Sequence, residues 1–341
     1  MLRICALFLI LLIAFGFSAY NRHEIALEIN ANSYLSDVLI ALGDQKPLHH
    51  TESRRDAQLI QKGKEIIFTG QTTDSKGNKT KRQSKHFTCT HCHNTVKEDP
   101  NPEKPDPEAR LTHAAKNNFP FLPGSTFYGM VNRVSWYNGD YLSKYGDLVK
   151  PARDTLKNAI HLCAVECSQG RALESWEMDA VLAYFYSIEF KLVDLSLTEK
   201  EIASLNEAVK LKSNSETIAW LKQKYYVASP ATFLDPIAKN ERKAGVQGNA
   251  ENGKYIYELS CMHCHKLGGV TNFILDNEKI TFRFLKSQFN TTYHFSIYDK
   301  VRKGTYALNG YKPYMPNYTL ERMSHQQLED LAAYITQQAK R

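Results

Sequence analysis

The sequence predicts an all-α protein built as two helical modules in tandem, on three observations. No stretch of the 341 residues alternates apolar and polar side chains over strand length, which leaves helix as the regular structure. The string Cys-x-x-Cys-His occurs twice, at 89–93 (CTHCH) and at 261–265 (CMHCH). A helix-like segment leads into each string and another of matching pattern closes the stretch after it, so one plan is written twice.

The N-terminus comes first. Arg3 is the sole charge in residues 1–20, and 4–17 (ICALFLILLIAFGF) is a continuous apolar run, the profile of a signal peptide. An uncleaved anchor is the alternative, since the uncharged stretch approaches the roughly 17 residues that span a bilayer. Export out of the cytoplasm, to the periplasm or its equivalent, follows from either reading. Cys5 sits inside the run as an apolar filler. The formal charge of +7 is mild and diffuse, which argues against a nucleic-acid partner. The run 75–86 (SKGNKTKRQSKH) concentrates five Lys or Arg with no acid, as a solvated loop or a docking patch for an acidic redox partner.

The first module is expected over 21–191 and the second over 246–341, with a helical connector at 192–245. A helix over 58–68 (QLIQKGKEIIF) and the segment NAENGKYIYELSCMHCH share a Gly-Lys-x-Ile step, at Gly63 and at Gly253; in the first module a basic insertion then intervenes before Cys89. The closing helices 174–189 and 324–340 align so that Ala183-Tyr184 matches Ala333-Tyr334. The second has a capping box, Ser324 with Gln327, and Met323 is placed to staple onto Leu328. In the connector Ile202, Leu205 and Val209 recur at helical spacing, and 229–236 (SPATFLDP) is a break. The loop 97–110, with four prolines, is expected to be extended surface structure.

Three chemistries could explain the strings. A zinc site needs four ligands gathered in space and a redox dithiol needs only the cysteines; neither accounts for a His directly after each pair. Covalent attachment of a c-type haem accounts for every residue: the thiols add to the porphyrin and the adjacent imidazole ligates iron. Chance would supply about 0.005 such strings in a chain of this composition, so two by accident is on the order of one in 10⁵. Cys89 and Cys92 are therefore assigned to one haem and Cys261 and Cys264 to a second, with His93 and His265 as proximal iron ligands. In these strings and helix pairs the chain resembles cytochromes c, which implies two cytochrome c-like domains, two c-type haems, an extracytoplasmic location and a role in electron transfer.

The opposite face of each iron sets what it does. In the second module Met315, in YKPYMPNY, stands where many cytochromes c place a distal methionine; Met323 is the alternative. In the first, the corresponding stretch HLCAVECSQGR has no methionine but holds Cys163 and Cys167. Cys163 is the candidate distal ligand. A Cys163–Cys167 disulfide, or free thiols with another ligand from Met130, Met178, His113 or His161, are the alternatives. The run of Cys163, Ser168-Gln-Gly-Arg171, Leu173, Glu177-Met178 and Ala183-Tyr184, with Asn132-Arg133, is similar to dihaem thiosulfate dehydrogenases and the haem subunit of the sulfur-oxidising complex. That resemblance implies a His/Cys-ligated catalytic haem and a sulfur-compound oxidoreductase, with Arg133 and Arg171 holding an anionic substrate or haem propionates. Electron transfer is the leading reading, with a redox protein or a membrane respiratory complex as partner.

Overall fold

The computed structural model describes residues 28–210, 214–291, 295–305 and 314–340. The expected signal or anchor segment lies outside these residues. Among them no strand forms, and three isolated one-pair bridges are the sole sheet-like contacts, so the all-α expectation holds. No helix among them is long and apolar enough to cross a membrane.

The principal helices are α1 (Leu35–Ala41), α2 (Ala57–Thr69), α3 (Pro107–Asn117), α4 (Leu156–Leu162), α5 (Ser175–Ser187), α6 (Glu199–Lys210), α7 (Ser215–Lys222), α8 (Ala250–Ile256), α9 (Lys279–Ser287), α10 (Ile297–Lys303) and α11 (His325–Lys340). Their starts are encoded locally. Asp56 accepts from the N–H groups of Gln58 and Leu59 at the head of α2, and Asn249 from those of Glu251 and Asn252 at the head of α8. The expected capping box forms at α11, where Ser324 N–H donates to Gln327 Oε1 (3.0 Å) and Gln327 N–H to Ser324 Oγ (3.1 Å). Glu174 and Glu177 make the same reciprocal arrangement at α5.

Two helix crossings organise the chain. Gly63 of α2 lies against the Ala180 carbonyl and the Tyr184 Cβ of α5; Gly253 of α8 lies against the Asp330 carbonyl and the Tyr334 Cβ of α11. At both glycines an added Cβ would overlap the facing backbone, so the helices approach this closely only because the side chain is absent. The Gly-Lys-x-Ile step and the Ala-Tyr match are thus two sides of one contact, made twice. Each crossing anchors a core: Ile66, Ile67, Val181, Leu182 and Phe185 around the first, Ile256, Tyr257, Leu328, Leu331 and Ile335 around the second. Burying each such side chain contributes about 1.5–3 kcal/mol.

The connector is helical in α6 and α7; beyond them the chain is irregular from 225 to 238 and then runs through turns at 239–241 and 244–247. Leu205 and Leu221 close a third core with Leu35, Val38, Leu39 and Leu42 of α1 and with Phe190 and Leu192. The part beyond α7 straps the modules together. Val134 N–H donates to Val227 O (2.8 Å) on one side, and Gly245 N–H to Glu329 Oε2 (2.9 Å) on the other.

The loop 97–110 is at the surface through its middle, where Pro100, Asn101, Glu103, Lys104 and Asp106 are exposed, but its ends are not the surface structure that its prolines suggest. Glu98 and Arg110 are fully buried and Asp99 nearly so, and from Pro107 the chain is helical, with Pro at the first turn where its missing N–H costs nothing. Leu111 and Ala114 of α3, with Phe121, enter the second module's core. Glu98 accepts from Arg322 Nη2 (2.6 Å) and Asn94 Nδ2 (2.6 Å) and faces Arg110 (3.8 Å), while Arg110 stacks on Phe121 and donates to the Arg322 carbonyl. Enclosure alone would push the Glu98 carboxyl up; Arg322 and Arg110 outweigh it and hold it below the usual range. Charge was readable in this loop, but not that a second module would cover its ends.

Candidate functional site

The second string is delivered by a continuous helical rod: α8 runs through a π-turn, Tyr257–Cys261, into the short helix Met262–His265. This sets Cys261, Cys264 and His265 on adjoining turns. In the first module α2 ends at Gly70, in the left-handed region at φ 77°, and the insertion intervenes before the tight turn Cys89–His91.

Both histidines following the strings are tied the same way. His93 Nδ1 meets Ser125 O at 2.7 Å and His265 Nδ1 meets Phe273 O at 2.7 Å. A carbonyl can only accept, so Nδ1 carries the hydrogen and Nε2 keeps its lone pair, the tautomer a metal requires. Burial pushes both imidazoles toward the neutral form. His93 also stacks on Phe127 (4.6 Å between centroids), and Gly124 passes so close to its ring that any side chain there would collide. Burial raises the Cys89 and Cys264 thiols to about 11 and Cys261 to about 12, and pushes Cys92 up further.

The two strings abut. His91 and His263, each between the cysteines of its string, have ring centroids 6.5 Å apart, and His263 hydrogen-bonds the Thr90 backbone. Cys264 is near enough to Cys92 to raise its thiol further.

Met315 is held by a two-bond clasp: its N–H donates to Thr305 Oγ1 (2.7 Å) and Thr305 N–H returns to Met315 O (2.8 Å). Gly304, at φ 64°, lets the carbonyl approach. Met323 is buried in the core with Leu328, as the staple predicts. Beside Met315, Tyr314 reaches into the first module, donating to Cys167 O (2.7 Å) and meeting the Phe87 ring edge-on.

Cys163 and Cys167 bound a π-turn and share a thiol–thiol hydrogen bond, with Cys89 and Cys92 close enough to Cys163 to act on it. Three of the four fallback ligands are otherwise engaged. Met130 Sδ takes Trp136 Nε1–H (3.2 Å) and Arg133 Nη1–H (3.8 Å), and Met178 packs on the first core. His113 pairs with Asn117 and Phe119 on α3, and His161 is exposed. Arg171 is not available to an anion either: its fork grips Glu177 with two 2.6 Å bonds. Arg133 donates to Ser229 Oγ (2.5 Å) and Tyr226, leaving Nε buried without a partner.

Several contributors were not singled out from sequence. Gln83 and Ser84 are buried at the end of the basic run and grip the Cys163–Cys167 turn through the Ala164 and Ser168 carbonyls (2.8 and 2.5 Å). Thr305, Gly124 and His86, whose buried Nε2 has no partner, are the others. The Pro-Gly at 123–124 is the sequence signal that could have pointed to Gly124.

With this geometry in place, residues 248–335 match the family model described as cytochrome C oxidase, cbb3-type, subunit III. That segment is a cytochrome c domain. No curated protein and no solved structure matches the chain. The cytochrome c domain implies a c-type haem, and haem-based electron transfer as its chemistry. Its residues fit the group: two cysteines and an oriented imidazole converge, and Arg302 Nε and Nη2, Asn317 Nδ2 and Thr319 Oγ1 are buried polar atoms without partners, suited to propionates. Bound there, haem supplies a one-electron carrier.

Proposed function

We propose that the protein is an exported dihaem cytochrome c that transfers electrons through two covalently bound haems. Cys89 and Cys92 hold the first, with His93 on its iron; Cys261 and Cys264 hold the second, between His265 and Met315. The observation that carries this reading is the contact of His91 with His263, because attachment turns that touch bring their cofactors within easy electron-transfer reach. Residues 1–20 direct the chain out of the cytoplasm. The partner is an acidic redox protein or a membrane respiratory complex. Lys76, Lys79, Lys81, Arg82 and Lys85 support it: all five are exposed, and none joins an ion pair among the described residues. Haem quantification by pyridine haemochrome and intact mass tests the proposal. Two haems per chain are expected, falling to one in Cys89→Ala/Cys92→Ala and, independently, in Cys261→Ala/Cys264→Ala. One haem in the unaltered protein sinks it.

A second reading makes the first haem the catalytic centre of a sulfur-compound oxidoreductase, with Cys163 on its iron. The thiols beside Cys89 and Cys92 favour it. Turnover of thiosulfate or tetrathionate, lost in Cys163→Ala, is its test.

A further inference from the structure

Cys163 and Cys167 are free thiols that neither attachment string uses. They lie four residues apart at the two ends of the π-turn, so their side chains project from one face, each near enough to act on the other. Tyr137 Oη lies 3.9 Å from Cys167 Sγ, and Tyr137, Tyr141 and Tyr314 wall the pair in.

The turn does not need a cross-link to hold its shape. Ala164 O accepts from Gln83 Nε2 (2.8 Å), Ser168 Oγ (2.6 Å) and Gly170 N–H (3.0 Å). Ser168 O accepts from Ser84 Oγ (2.5 Å) and Cys167 O from Tyr314 (2.7 Å). Gly170 crosses the Gln83 backbone where a Cβ would collide with it. These bonds hold the turn whether the two sulfurs are apart or joined. Both cysteines are half-buried, which limits the direct attack on sulfur that exchange with a soluble thiol requires and does not stop the passage of electrons.

We propose that Cys163 and Cys167 form a reversible dithiol–disulfide centre that stores two electrons beside the first attachment string. Oxidation breaks two S–H bonds, forms one Sγ–Sγ bond, and releases two protons and two electrons; one-electron acceptors, two equivalents per chain, take the electrons. Reduction reverses each step. This goes beyond one-electron transfer, since it lets the chain exchange electrons in pairs with a two-electron donor.

The test is an electron count. Purified protein is oxidised with ferricyanide, freed of it, and titrated with dithionite and mediators, while iron is measured separately. The expected uptake exceeds the iron content by two electrons per chain. Denaturing alkylation should find both thiols blocked in the oxidised protein and both modified in the reduced protein. Cys167→Ser and Cys163→Ser should each reduce the uptake to the iron content. Uptake equal to iron in the unaltered protein, or thiols that alkylate after oxidation, overturns the proposal. So does a disulfide that dithionite leaves closed. Because uptake is compared with measured iron, a failure of the two-haem reading changes the iron value and leaves this comparison intact. The unaltered protein decides the matter even if a variant fails to fold.

Discussion

The two string-bearing modules share a frame and differ in the segments that join it. Gly63 against Ala180 and Tyr184 repeats as Gly253 against Asp330 and Tyr334, and each string's final histidine gives its Nδ1 hydrogen to a carbonyl. Beyond that they part. The second module reaches its string along an unbroken helical rod and pins Met315 with Thr305. The first interrupts the rod with a basic insertion and spends that insertion's end on clamping the Cys163–Cys167 turn. A helix crossing is a packing solution with little freedom, so it repeats; the segments outside it, the Met315 loop and the Cys163–Cys167 turn, change without disturbing it.

The largest effect that separates frame from loop is expected at the joint between modules. Glu98→Gln leaves Arg322 and Arg110 buried without their counter-charge and should cost about 3–5 kcal/mol in urea unfolding. Because the folded carboxyl sits below its usual range, the stabilisation from this pairing is present above the unfolded carboxylate pKa of about 4.3 and is lost as pH falls through the lower folded value. The variant should therefore flatten the acid side of the stability profile. An unchanged acid limb would mean that Glu98 is not what links the modules.

Next in size are Gly63→Ala and Gly253→Ala. Each forces a methyl into a facing carbonyl and should destabilise by about 1–3 kcal/mol, read as a lowered urea midpoint. Similar losses would affirm one shared crossing; a several-fold inequality would break the equivalence. The smallest effect is at the caps. Ser324→Ala removes the acceptor for Gln327 N–H and should cost about 1 kcal/mol in the same measurement. Gln327→Ala, which removes the reciprocal bond to Ser324 N–H, should move stability in the same direction.

Much of the frame was legible because it rests on near-neighbour chemistry. The α2 and α5 pattern, the Ser324–Gln327 box and the Met323 staple each depend on residues within a turn or two of one another. The ends of the 97–110 loop were misread because proline content reports backbone stiffness and says nothing about what will cover them. Arg171 was misread for a related reason: an arginine in a motif shows a charge, and its bidentate hold on Glu177 appears only once α5 is in place. Gln83 and Ser84 lay inside a run defined by its charges and were hidden by it, although the charges face solvent and these two polar residues make the contacts.

By itself the sequence determined the helical class, the doubled plan and the two Cys-x-x-Cys-His strings, since spacing and periodicity act along the chain. Tertiary structure alone decided that His91 meets His263, that Tyr314 joins the Met315 loop to Cys167, and that Glu98 and Arg322 neutralise each other between modules. Those contacts connect residues far apart in sequence. Their energies come from excluding water between surfaces that exist only after both modules have folded and docked.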